Sequence, residues 1–168
     1  TIGPALTDDF QYGFYYDFRL PRPVTAEDLA EVESEMGRIV KEDLPIRRED
    51  LPVEQARQRF ADLGQDYKIE MINDLASAED AESVSLYHQG DFTDLCRGPH
   101  LPSTGRVKAF RLLSTAGAYW RGDESREMLT RIYGMAFFDA KALEEHLERV
   151  EQARQRDHRV LGRKLGLF

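Results

Sequence analysis

The spacing of apolar side chains changes along this chain, and each change of period marks an element. Residues 12–18 (YGFYYDF) are aromatic and short, preceded by Asp8 and Asp9 and followed by the Pro21-Arg22-Pro23 turn, which predicts a strand. Thr25 and Asp28 are spaced as a capping box, and Leu29, Val32, Met36, Ile39 and Val40 follow at helical spacing, so a helix is expected from Thr25 to about Glu42. A second, short helix fits residues 53–63, opened near Pro52 and stopped by Gly64. Residues 67–75 carry two patterns at once: Tyr67, Met71 and Leu75 suit a helix, Ile69 and Met71 alternate as in a strand, and helix is the reading adopted. Four β-favouring runs, 84–87, 92–95, 107–114 and 128–138, are separated by Gly, Asp and Pro. From Asp139 the helical period returns, with Leu143, Leu147 and Val150 on one face and i,i+4 charge pairs on the other.

Successive strands imply a largely antiparallel sheet, and strands followed by a helix place the chain in the α+β class rather than among doubly wound folds. A sheet of four or more strands packed on the Thr25 helix is expected. Residues 1–138 read as the α+β core and residues 139–168 as a C-terminal helix projecting from it. With 41% hydrophobic side chains in 168 residues, the chain can close one compact core.

Composition narrows the function classes. No window approaches the roughly 18 consecutive apolar residues of a membrane span, and the N-terminus lacks the basic-then-apolar pattern of a signal peptide, so a cytoplasmic protein without a membrane partner is expected. The single cysteine, Cys96, excludes an internal disulfide and leaves a free thiol or a metal ligand. The formal charge of −8 is unevenly spread: residues 149–168 carry a net +4, and the remainder −12. An exposed helix face and an RNA contact both suit the basic stretch. Between Lys68 and Arg97 every formal charge is acidic (Glu70, Asp74, Glu79, Asp80, Glu82, Asp91, Asp94), which reads as a solvated acidic loop.

Cys96 and His100 are the chemically suggestive pair, four residues apart on a turn that Gly98 and Pro99 keep from being helical. On spacing alone, a metal pair and an ordinary buried cysteine near a surface histidine are both open. The other histidines, His88, His146 and His158, form no second Cys/His cluster, and the charged helical surroundings of His146 and His158 give them no chemical role.

Six blocks then occur in order: Ile2-Gly3-Pro4; Gly13-Phe14-Tyr15-Tyr16-Asp17; Asp94-Leu95-Cys96-Arg97-Gly98-Pro99-His100; the run from Thr115 to Asp123 (TAGAYWRGD); Arg131-Ile132-Tyr133-Gly134; and Arg156-Asp157-His158-Arg159. Together they resemble the second N-terminal, editing domain of bacterial-type threonyl-tRNA synthetases over essentially the whole chain. The related alanyl-tRNA synthetase domain carries Cys-Gly-Gly-Thr-His at the turn, so Arg97 and Pro99 favour the threonyl branch. The resemblance implies an α+β editing domain whose C-terminal segment is a linker helix leading into a class II ligase domain beyond Phe168. It implies hydrolysis of serine wrongly esterified to tRNA(Thr), with the tRNA acceptor end as partner.

Residue by residue, the resemblance carries over Lys68, Asp94 and His100 as catalytic candidates. Tyr16 and Cys96 become substrate-binding candidates, Cys96 lining the pocket that judges the amino acid. Lys68 would lower the pKa of the attacking water or act as base, while Asp94 and His100 hold the substrate amino group and the water. The family also uses an upstream His-x-x-x-His pair, and this chain contains none. Thr1 stands where a complete chain would begin with methionine, which suggests a segment cut from a longer protein. Cys96 and His100 are therefore expected to form an incomplete pair holding zinc weakly at most, with no cofactor in the segment and impaired activity for it alone. The whole enzyme would use ATP, magnesium and zinc, as a homodimer. A non-catalytic tRNA-binding module and a free-standing alanyl-type deacylase are the competing readings.

Overall fold

The computed structural model describes residues 13–79 and 81–156. Among them run β1 (Phe14–Phe18), α1 (Ala26–Glu42), β2 (Ile46–Pro52), α2 (Val53–Asp62), α3 (Asp66–Glu79), β3 (Ser83–Gln89), β4 (Phe92–Leu95), β5 (Ala109–Tyr119), β6 (Met128–Phe137) and α4 (Ala140–Arg156). Single 3-10 turns occupy Thr104–Arg106 and Trp120–Gly122. The fold is α+β and its strand pairs are antiparallel. In place of one sheet of four or more strands, the described residues form two sheets of three, ordered β2-β3-β4 and β1-β6-β5. The chain correspondingly groups into two compact units, Ser34–Arg106 and the described parts of Ile2–Glu33 with Val107–Phe168.

In the first unit, β3 is the central strand and alternates as the pleat requires: Val84 and Leu86 are buried, Ser85 and Tyr87 half-buried on the opposite face. Val84 and Leu86 join Ala56 and Phe60 of α2, Ile72 of α3 and Leu95 of β4 in one apolar core. Phe60, Ile72 and Leu86 are fully buried, each worth about 1.5–3 kcal/mol over an exposed side chain. Gly64, at φ +64°, ends α2 as expected, because the left-handed region costs glycine little. The segment after β4 is clasped to the end of α1: buried Thr104 donates its hydroxyl to the Ile39 carbonyl (2.8 Å) and accepts the Leu44 N–H (2.9 Å).

In the second unit, β6 runs between β1 and β5. α4 lays Leu143 against Ala109 and Met135, with Leu113, Phe137 and Leu147 around them, so its first turns are packed. The capping box forms: the Thr25 N–H donates to Asp28 Oδ2 (2.8 Å) and the Asp28 N–H to Thr25 Oγ1 (3.2 Å).

Three local readings change. β2 (IRREDLP) lacked an apolar alternation, yet it pairs along β3 as an edge strand with Arg47, Arg48 and Asp50 exposed. β5 continues past Ser114 through Ala116, Gly117 and Ala118 to Tyr119. The acidic segment is not one loop: Glu70 and Asp74 lie on α3, and Asp94 is buried on β4. No helix of the described residues is long and apolar enough to cross a membrane.

Candidate active site around Lys68 and Asp94

Lys68 sits in the first turn of α3, the turn that its N–H bond to the Gln65 carbonyl (2.9 Å) helps to close. On that helix it shares a face with Ile72, and the apolar packing there carries the lysine inward to 3% exposure. A buried ammonium requires a partner, and Asp94 of β4, itself 8% exposed, supplies one: Lys68 Nζ pairs with Asp94 Oδ1. The same oxygen accepts the Leu95 N–H (2.7 Å). Lys68 is thus a buried lysine, not a surface one. Asp94 lies on a strand because Phe92–Leu95 completes the edge of the sheet against β3, with Tyr87 directly opposite it.

The chain leaves β4 through Cys96, whose N–H donates to the Ser85 carbonyl (3.1 Å) and whose carbonyl accepts the Ser85 hydroxyl (2.6 Å). Both contacts hold the turn to β3. Cys96 is half-buried and free. Gly98 has φ +73°, and a Cβ built there would overlap the Tyr87 hydroxyl and lie 2.6 Å from its Cζ, so only glycine fits. His100, exposed, stacks on the Tyr87 ring with centroids 3.8 Å apart and planes 25° from parallel. Partial burial lowers the pKa of His100, and Asp94 nearby pulls in the opposite sense.

The first unit thus brings Lys68, Asp94, Cys96 and His100 onto one β3–β4 edge and the turn leaving it. Tyr16 belongs to the second unit, half-buried on β1 and stacked on Phe18 with centroids 4.8 Å apart. An open groove of 650 Å³ in the first unit is lined by Gln55, Gln58, Leu63, Gln65 and Phe92, and none of the four first-unit candidates lines it. A zinc site takes three or four protein ligands, and among the described residues no three Cys, His, Asp or Glu converge to hold an ion. Cys96 and His100 do not fit a resident metal by themselves.

Two features escaped sequence reasoning. Tyr87 underlies both Gly98 and His100, and its only signal was its place opposite Asp94, which depends on register. His88 is part of a polar network across three strands: Nδ1 meets Thr93 Oγ1 (2.9 Å), and Nε2 meets Glu49 Oε2 (2.8 Å), which also accepts from Arg59 (2.7 Å). His146 packs against Phe137 with ring centroids 5.1 Å apart; His158 lies outside the described residues.

Residues 84–133, which hold Asp94, Cys96 and His100, match the family described as Threonyl and Alanyl tRNA synthetase second additional domain. Along the whole chain, the threonine–tRNA ligase of Pelobacter propionicus is 55% identical over 168 residues, 100% of this chain and 25% of the relative. The corresponding ligase of Dehalococcoides mccartyi is 55% identical over 99% of this chain and 27% of its own length. That of Clostridioides difficile is 54% identical over 99% of the chain and 25% of its own length. The chain spans about a quarter of the length of these curated relatives. The chain thus matches a segment of threonine–tRNA ligases from end to end, and residues 84–133 of it, at the Cys96–His100 turn, match the second additional domain of threonyl and alanyl tRNA synthetases.

Proposed function

We propose that this domain hydrolyses the ester joining serine to tRNA(Thr), as the proofreading part of an enzyme that attaches threonine to that tRNA. A synthetic pocket shaped for threonine also admits serine, because one missing methyl gives only about 1–3 kcal/mol of discrimination. A second, hydrolytic pocket that accepts serine and excludes the extra methyl supplies the remaining selectivity.

The observation that carries this reading is the buried Lys68–Asp94 pair, placed two residues before Cys96 on the strand that leads into the His100 turn. A lysine held this far from solvent acts on whatever negative charge develops beside it far more strongly than a surface lysine does. In the proposed reaction a water oxygen attacks the aminoacyl carbonyl carbon, and the carbonyl electron pair moves onto oxygen. Lys68 stabilises that developing charge. His100, whose protonated form burial disfavours, orients the water and takes its proton. Collapse breaks the bond to the ribose oxygen, which takes the proton back from His100, releasing serine and free tRNA. Asp94 fixes Lys68 and faces the substrate amino group, and Cys96 contacts the amino-acid side chain.

The test is single-turnover deacylation of seryl- and threonyl-tRNA(Thr) by the full-length ligase containing this segment. Lys68→Ala is expected to slow seryl-tRNA hydrolysis at least roughly a hundredfold. Cys96→Ala is expected to change the serine-to-threonine ratio more than the rate. Undiminished hydrolysis in the Lys68 variant would remove this mechanism and leave a domain that only holds tRNA.

A further inference from the structure

We propose that Tyr87 is a positioning residue for the hydrolytic site, the platform that sets where His100 presents its imidazole; this rests on the reading of His100 given above. Tyr87 occupies the middle of β3, the central strand of its sheet, with Arg48 opposite on one side and Asp94 opposite on the other. Directly opposed residues of antiparallel strands project from the same face, so the phenol is bracketed by an arginine and the buried aspartate.

Onto this anchored ring the turn is laid at two points two residues apart. The main chain at Gly98 approaches so closely that no Cβ fits against the hydroxyl and Cζ. The imidazole of His100 stacks on the ring at 3.8 Å between centroids. Two contacts on one rigid aromatic plane fix both the path of the turn and the plane of the imidazole. His100 is otherwise an exposed side chain that would distribute among rotamers. Its edge, rather than the covered face, is then directed at water or substrate. Tyr87 touches neither in this scheme, which makes its effect one of geometry. Geometry is what a hydrolytic site is most sensitive to, since a misplacement of about 1 Å costs roughly a hundredfold.

The experiment uses three proteins, wild type, Tyr87→Phe and Tyr87→Leu, and two readouts. In the 168-residue chain, the carbon-bound ring protons of His100 are followed by NMR. The Tyr87 ring current should shift them in wild type and in the phenylalanine variant, and they should revert in the leucine variant. In the full-length ligase, Tyr87→Leu should lower kcat for seryl-tRNA deacylation by roughly ten- to a hundredfold with KM little changed, and Tyr87→Phe should restore kcat. If Tyr87→Leu unfolds, Tyr87→Thr, a β-branched residue that strands accept, is read in the same way. An unaltered kcat in a folded leucine or threonine variant overturns the proposal, as do His100 resonances that ignore the substitution. A wild-type enzyme without deacylase activity would instead overturn the hydrolytic reading, and the ring-current readout would still decide whether Tyr87 holds His100.

Discussion

Each unit of the molecule buries a strand aspartate against a cation, and the two pairs are built differently. In the second unit, Asp17 and Arg131 are direct partners across β1 and β6. The guanidinium forks onto both carboxylate oxygens (Nε to Oδ1 2.7 Å, Nη2 to Oδ2 2.8 Å), with the Tyr15 ring 3.8 Å from its Cζ. That arrangement uses the planar fork and the aromatic face together, a combination suited to stapling strands. In the first unit the cation is a lysine on a helix, reaching Asp94 Oδ1 from a different layer of the unit. A lysine ammonium is a compact point charge with three rotatable donors, without the planar fork that fixes the arginine pair. The same ingredients are built as a two-point fastening in one unit and, in the function proposed above, as chemistry in the other.

The contrast can be broken at its strongest point first. Lys68→Met strands a carboxylate at 8% exposure and should cost about 3–5 kcal/mol in urea unfolding, whereas Lys68→Met with Asp94→Leu should recover most of that. A single variant as stable as wild type would mean the pair is solvated. Next in size, Gly98→Ala forces a side chain into φ +73° and onto the Tyr87 phenol. It should cost about 1–3 kcal/mol and depress deacylation further than its loss of folded protein explains. Arg131→Met should cost about 1–2 kcal/mol, less than the lysine change because the arginine side chain keeps 24% of its exposure, and should leave deacylation untouched. A large catalytic defect there would erase the distinction between the two pairs.

The smallest effect is at the α1 cap. Hydrogen bonding from Arg22, then from the Thr25 N–H, holds the Asp28 carboxyl well below the usual carboxylate range. A depressed carboxylate contributes stability that is present above its unfolded value of about 3.9 and is lost as pH falls below it. Asp28→Asn should therefore lower the thermal midpoint slightly near neutrality and flatten its decline as pH falls below about 4.

What could be read from residues alone follows from distance along the chain. The capping box at Thr25 and Asp28 and the glycine stop at Gly64 are local devices, and both formed as spacing implies. β2 hid because four consecutive charged residues, Arg47 to Asp50, mask any apolar alternation, and its strand character comes from hydrogen bonds to β3. The Cys96–His100 turn was visible as a motif, but the burial of Lys68 was not. Nothing within α3 distinguishes it from an exposed lysine, and its partner lies 26 residues away. Lys68 and Tyr16 were singled out only through family resemblance, and they now stand on different units. Tyr87 carried no local signal, since its importance arises from register with Asp94 and from the turn folding back over it.

The Thr104 clasp gives the His100 segment a collective behaviour. The segment is tied at its start by the Cys96 N–H to Ser85, and at its end by the Ile46 N–H to the Pro102 carbonyl (2.9 Å) and the Thr104 N–H to the Leu44 carbonyl (2.9 Å). A stretch fastened at both ends cannot fray from one of them. It opens as a whole or not at all, so the amides of Ile46, Cys96 and Thr104 should exchange their hydrogens with solvent at a common free energy, as one cooperative unit.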